Sequence, residues 1–390
     1  MKNKFQTWFK GVLDISWIST LQCCGGLILF FIFILQLFLL IRPIISTATE
    51  FEPDSVNASE QYNLWKELSD GFDYSIRILT YGSYLDVAES SQNPNNDFFE
   101  IPRYMANLEL RPDFYLNFRR LNLSVKPRAT LEWSKWEDGG RKGEDEFEDE
   151  LFINEWLARI GLTQMLFASY GRENLQWGPS YLVSPSNPFF KDNGLSNPIE
   201  EIRGKDFARL VWTPSSKWTS SLIANLGEGA QEIQFEEFKK TYAFKLDYTG
   251  YTRYSSVIFS YKENDRSRLG FFGGWTASDA LLLYGEGNLS KGTDTLYPVE
   301  NNDLPLGATM LPIDEDSSTI KGTGLIGGSY TFLAGPTLTM EYLYNGYGYN
   351  DDQAKTYYLL RDNASDAFRG PLDALSRFTL SQTANIGLRF

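Results

Sequence analysis

Through most of the chain, side chains alternate between apolar and polar with a period of two residues. The clearest run is 121–134. There Leu121, Leu123, Val125, Pro127, Ala129, Leu131 and Trp133 alternate with Asn122, Ser124, Lys126, Arg128, Thr130, Glu132 and Ser134. A strand turns successive side chains to opposite faces, so this run has one apolar face and one polar face. The same reading from Gly71 onward predicts about 14 strands. They fall near 72–86, 101–112, 119–136, 147–160, 163–175, 205–214, 217–227, 238–249, 252–263, 267–275, 278–290, 318–333, 336–349 and 374–390.

The connectors fall into two classes. Short ones lie at Leu162, Pro214-Ser215-Ser216, Gly250, Ser278-Asp279 and Ala334-Gly335-Pro336; long polar ones lie at 87–100, 137–146, 176–204, 228–237, 291–317 and 350–373. A soluble sandwich shares the alternation but has no reason to segregate its loops by length. Short turns facing long loops, with an even strand count, predict an all-β transmembrane antiparallel up-and-down β-barrel over 71–390. In the last strand Phe378, Leu380, Ala384, Ile386, Leu388 and Phe390 share one parity, and Thr379, Ser381, Thr383, Asn385, Gly387 and Arg389 share the other. A strand ending on Phe390 resembles the targeting signal of the barrel-assembly machinery, although a strand can also end on Phe without that role. A chain extending past Phe390 would keep the barrel and change the strand count.

The first 48 residues break this rhythm. Lys2, Lys4 and Lys10 precede an apolar run over 25–41, interrupted by Gln36, and Ser46-Thr47-Ala48 supplies small residues for a signal peptidase. A cleaved signal peptide over 1–48 is expected. The alternative is an uncleaved membrane anchor, and the strand rhythm that follows favours cleavage. Residues 49–70 are acidic, with one helical pattern around 58–68, and read as a periplasmic lead-in or plug.

Composition narrows the function. Both cysteines, Cys23 and Cys24, lie in the expected signal peptide, so the remaining chain has no disulfide and no Cys-based zinc site. The chain contains no His, which removes the Ser-His-Asp triad, the His-ligated metal and the His general base. No catalytic residue, metal ligand or cofactor is assigned. Cleavage would take four basic residues and one acid from the chain's 36 and 50, leaving a net charge of −17. So acidic a chain offers nucleic acid no bulk attraction. Aromatics form 15% of the chain, which suits a surface that meets lipid.

If the apolar parity faces lipid, the other lines a lumen. That parity carries Arg103 and Arg111, then Lys126, Arg128 and Glu132, then Arg159, Arg172 and Arg209. Cations on consecutive strands predict a basic wall that guides anionic or hydroxyl-rich solutes through Arg's fixed fork of donors. The alternative is internal pairing with lumen acids or with 49–70, and both readings stay open.

The connector after the fifth strand is the most distinctive local sequence. It reads Tyr170-Gly171-Arg172, then Trp177-Gly178-Pro179, then Ser184-Pro185-Ser186-Asn187-Pro188-Phe189-Phe190. It resembles the Gly-Arg, Trp-Gly and Ser-Pro-x-Asn-Pro pattern of Gram-negative outer-membrane barrels for surface polysaccharide and solute transport. Capsule-assembly barrels and porin-like proteins are among these. The likeness covers about 20 residues, with a looser echo at Leu110-Arg111-Pro112-Asp113. It implies that 176–204 folds inward and constricts the pore. Prolines stiffen this segment, and Trp177, Phe189 and Phe190 either anchor it or stack on sugars.

Acidic clusters such as Glu144-Asp145-Glu146 and Asp314-Glu315-Asp316 read as a solvated surface or as carboxylates bridged by divalent cations to lipopolysaccharide. The expected activity is passive diffusion of small hydrophilic solutes through an outer-membrane barrel. The alternative is a non-conducting barrel that binds or anchors surface polysaccharide. Expected partners are outer-membrane lipids, lipopolysaccharide and the barrel-assembly machinery, with small solutes or glycans as cargo. A homo-oligomer is left open.

Overall fold

The computed structural model describes residues 64–364 and 382–389, apart from 89–92, 98, 182, 191–193, 196–198, 200, 232–237, 293–294, 302, 305–306 and 313–318. The signal-peptide expectation for 1–48 and Phe390 therefore lie outside the described residues. Of the lead-in, 64–70 is described and is helical.

Strands β1 (Phe72–Tyr84), β2 (Tyr104–Phe118), β3 (Leu121–Lys135), β4 (Asp145–Gly161), β5 (Leu166–Glu173) and β6 (Lys205–Ser215) come first. Next are β7 (Trp218–Gly227), β8 (Thr241–Thr249), β9 (Arg253–Lys262), β10 (Ser267–Ser278) and β11 (Leu281–Lys291). They are followed by β12 (Leu296–Glu300), β13 (Ala308–Pro312), β14 (Ile320–Thr331), β15 (Thr337–Asn345), helix α1 (Asp351–Asn363) and β16 (Gln382–Arg389). Apart from the β12–β13 hairpin, the strands form one 14-stranded sheet in chain order. Each predicted strand has an observed counterpart. Among the described residues no pairing joins β16 to β1, so the structure shows an up-and-down antiparallel sheet.

The chain divides into two compact units, Met1–Phe118 with Val125–Ile153, and Arg119–Ser124 with Asn154–Phe390. In the first, β1 and β2 pair along their length, which sets Arg77 opposite Arg111. Like charges opposed across a ladder destabilise it. Here acids relieve the pair: Arg77 meets Asp113 at 3.5 Å and Arg111 meets Glu109 at 2.6 Å. Ile76, Ile78, Leu108, Val125, Phe147 and Leu151 stand exposed.

In the second unit the exposed face is apolar, unlike that of a soluble sheet. Leu222, Phe244, Phe259, Ile326 and Met340 are exposed, Ile326 at 66%. The opposite parity is covered and carries Phe207, Ile223, Ala243, Ile258 and Leu325 together with Glu286 and Glu341. Aromatic residues cluster near the short turns: Trp218 lies 5.0 Å from Tyr248, and Tyr330 lies 5.0 Å from Phe332. Within the covered face, Tyr254 lies across Gly274 and Tyr284 across Gly327, its partner glycine on the neighbouring strand. A Cβ on either glycine would come within 2.6 Å and 2.5 Å of the ring.

Two stretches read as long polar connectors hold structure. The hairpin β12–β13 lies within 291–317, and α1 lies within 350–373. They share a core of Tyr297, Ala308, Tyr349, Tyr357, Leu360 and Ala364. Helix α1 begins with a reciprocal cap between Asn350 and Gln353, and Asp351 and Asp352 occupy its positive first turn. The Tyr349 hydroxyl donates to Leu296 O at 2.7 Å. Burial, reinforced by Tyr357 and Tyr297, pushes its pKa up to about 12. The folded state thus favours the neutral phenol, and this contribution is intact below the ordinary tyrosine value of 10.0 and is lost as pH rises toward about 12. Helical circular dichroism should decline across that window, and less so in Tyr349→Phe. A signal that stays flat would contradict the linkage.

Candidate functional site

The connector from β5 to β6 lies against the covered face of the second unit. Leu175, Phe189 and Phe190 join Phe207, Ile223, Ala243 and Ile258 in one buried cluster, with Trp177, Ile202 and Phe272 packed on it. The Phe189 ring sits 4.9 Å from Phe207 and 5.8 Å from Trp177, both edge-on. These aromatics therefore anchor the loop to the wall. Asn187 closes the turn that presents them. Its Oδ1 accepts from the backbone N–H of Phe189 and Phe190, and its Nδ2 donates to Leu175 O at 2.9 Å. This is the turn chemistry for which Asn is suited.

A second set of contacts is polar. Glu286, on β11, is 1% exposed. Its Oε1 accepts from Ser184 Oγ at 2.6 Å, Ser186 Oγ at 2.8 Å and Ser186 N at 3.2 Å, and its Oε2 accepts from Ser180 Oγ at 3.0 Å. Glu341, on β15, accepts at Oε1 from Tyr181 N and from Tyr284 hydroxyl, both at 2.7 Å. Tyr284 reaches Glu341 from β11 because Gly327, on the intervening strand, has no side chain to block the ring. Asn288 Nδ2 donates to Pro185 O at 2.7 Å, and Lys205 Nζ to Phe189 O at 2.8 Å.

Two glycines make this approach feasible. Gly178 has φ +93°, and a Cβ there would lie 2.3 Å from Glu286 Oε2. A Cβ on Gly270 would lie 2.5 Å from Ser186 O. Pro179 follows Gly178 with its φ preset for the turn. The sequence expectation named Trp177, Gly178, Pro179, Asn187, Phe189 and Phe190, and all six belong to this docked segment. It did not name Glu286. The available signal was a lone acid between Gly285 and Gly287 at covered parity, together with three serines at spacings of four and two.

The expected basic residues mostly stand beside acids. In the second unit, Arg209 meets Glu173 at 3.3 Å. Arg159 sits across from Ser169, with its guanidinium 6.0 Å from the Phe167 ring. Lys245 pairs with Asp247 and lies 5.3 Å from the Trp177 ring. Arg172 departs from the expectation. The register pairs it with Trp156, and it shares the parity of the half-exposed Tyr170, opposite to that of Ser169 and Glu173. There it bonds Asp206 at 3.0 Å. In the first unit, Arg103 pairs with Asp138 and with Asp86, Arg111 with Glu109, and Ser134 donates to Glu132 at 3.3 Å. Arg128 has no exposed side-chain surface; it meets Asp113 at 3.0 Å and donates to Pro112 O and Pro127 O. Lys126 is half-buried on the same strand face as Arg128.

No family model matches the chain, and no curated protein matches it. Among solved structures it is similar to Pseudomonas aeruginosa OprD at 9% identity, with 71% of this chain and 59% of that chain covered and a TM-score of 0.40. The chain therefore spans less than two thirds of OprD. Pseudomonas putida OprB aligns at 9% identity over 85% of this chain and 86% of that chain, with a TM-score of 0.41. A Rhodopseudomonas blastica porin triple mutant aligns at 10% identity over 70% and 95%, with a TM-score of 0.32.

Proposed function

We propose that this chain is a Gram-negative outer-membrane channel for passive diffusion of small hydrophilic solutes. The sheet's apolar exposed face carries the reading. That face is apolar and aromatic, while the covered face holds ion pairs and buried acids beside the apolar cluster that seats the connector, an arrangement favoured by lipid outside and water within. Under this reading β16 closes on β1, Phe390 is read by the barrel-assembly machinery, and membrane lipid and lipopolysaccharide surround the strands. The docked connector narrows the path, and Arg159, Arg209 and Lys245 supply cations near it. Arg103, Arg111, Lys126, Arg128 and Glu132 contribute to the wall of the first unit, largely as internal pairs.

A second reading has one observation behind it. The connector is held by both a buried apolar cluster and a polar knot, which also suits a plugged barrel that binds or anchors surface polysaccharide. Single-channel recording in a planar bilayer separates the two. Discrete conductance steps support the channel; silence together with strong glycan binding supports the plug. Neutralising Arg159 and Arg209 with Gln should shift the reversal potential in a salt gradient toward cations, because Arg209 pairs across the ladder with Ser169 and Arg159 does so from the other side, on the face that bears the ion pairs. An unchanged reversal potential would remove them from selectivity. In detergent gels the folded protein should change mobility on boiling.

A further inference from the structure

We propose that the docked connector is an electrostatic mask, which takes the acids Glu286 and Glu341 out of the solute's path and leaves the cations to set charge selectivity. This rests on the channel reading for its consequence, though not for its geometry. Segment 174–190 contains no charged residue. It covers the two carboxylates with neutral donors instead: three serine hydroxyls and one N–H on Glu286, and the Tyr181 N–H on Glu341. Both acids are almost fully covered, at 1% and 3% exposure. Hydrogen bonds stabilise each carboxylate without adding charge to the segment.

The wall is divided in consequence. β11 and β15 carry the masked acids, and β4, β6 and β8 carry Arg159, Arg209 and Lys245, of which Arg159 is exposed. A carboxylate lining a narrow aqueous path attracts cations by direct contact, whereas one set back behind an uncharged segment acts on them from farther off, against a Debye length of about 8 Å at physiological salt. Covering or uncovering two carboxylates therefore changes which ion is favoured. Undocking both widens the path and reverses its charge preference, so size selection and charge selection are coupled through one segment.

Four proteins test this: the full chain, the full chain with Glu286→Gln and Glu341→Gln, a form with 177–188 replaced by a short Gly/Ser linker, and that trimmed form with both acids neutralised. Folding of each is checked by gel mobility before and after boiling. In the full chain both acids should resist coupling by a water-soluble carbodiimide, read by peptide mass spectrometry, and in the trimmed form both should label. In bilayers, trimming should move the reversal potential toward cations, and neutralising the acids in the trimmed form should move it back. In the full chain, where the two acids also hold the connector, the same neutralisation loosens that hold and raises conductance, but it should not move the reversal potential toward anions. Equal labelling with and without the segment overturns the proposal, as does a shift toward anions on neutralising the acids in the full chain. If the full chain never conducts, the channel reading fails while the labelling comparison still decides the mask. If the trimmed form does not fold, labelling and selectivity of the two full-length proteins decide it.

Discussion

Arg128→Met should destabilise the folded protein by about 3–5 kcal/mol, because it breaks a buried ion pair from one side only. Arg128 has no exposed side-chain surface, and its guanidinium meets Asp113 while also donating to two backbone carbonyls. Removing it strands a carboxylate that is 8% exposed and whose remaining cation, Arg77, is 3.5 Å away and largely in solvent. The double variant Arg128→Met with Asp113→Asn should recover much of the loss, since neither partner then keeps an unmatched charge. Urea unfolding in detergent or lipid vesicles, followed by tryptophan fluorescence, measures both. A single variant as stable as the original would mean that water reaches Asp113 freely.

Gly178→Ala should release the connector from the wall. The backbone there is left-handed, which costs a residue with a Cβ about 1–3 kcal/mol. The added carbon would also sit 2.3 Å from the Glu286 carboxylate and push it off the serines. Gly335→Ala is the matched control: φ is +103° and nothing lies within 4 Å of the added carbon. Expected for Gly178→Ala are protease cleavage within 174–190 and a larger conductance, with gel mobility preserved. Expected for the control is a small loss of stability with conductance unchanged. Equal behaviour of the two would show that the contact with Glu286 does not hold the segment.

The strands were legible because their alternation is written locally. A two-residue period over 121–134 needs no knowledge of a partner strand, and β3 lies where it predicts. The unequal connector lengths were legible for the same reason. Arg172 was misplaced because Leu166, Phe167 and Ala168 put apolar residues on both faces of β5, so alternation did not say which face is covered; burial of Ser169 and Glu173 does, and it leaves Arg172 with Tyr170 on the other. Helix α1 was readable in principle from Asn350-Asp351-Asp352-Gln353, a capping signature lost within a polar loop. The flanking glycines marked out Glu286 as a residue, but its partners in the knot were not readable. The knot joins residues about a hundred positions apart, and three serines in a proline-rich connector do not announce what they bind. Pairing of the arginines was foreseen as one of two alternatives, but choosing their partners required the fold.

The tyrosines laid across Gly274 and Gly327 carry a geometric consequence. A ring that lies flat against its neighbouring strand occupies the thickness of one aromatic plane, whereas a ring propped up by a side chain beneath it would project by its full length. Clearance on the covered face is therefore set as much by these glycines as by the loop. It resides in atoms that are absent, and two methyl groups added there would thicken the covered face without altering a single charge.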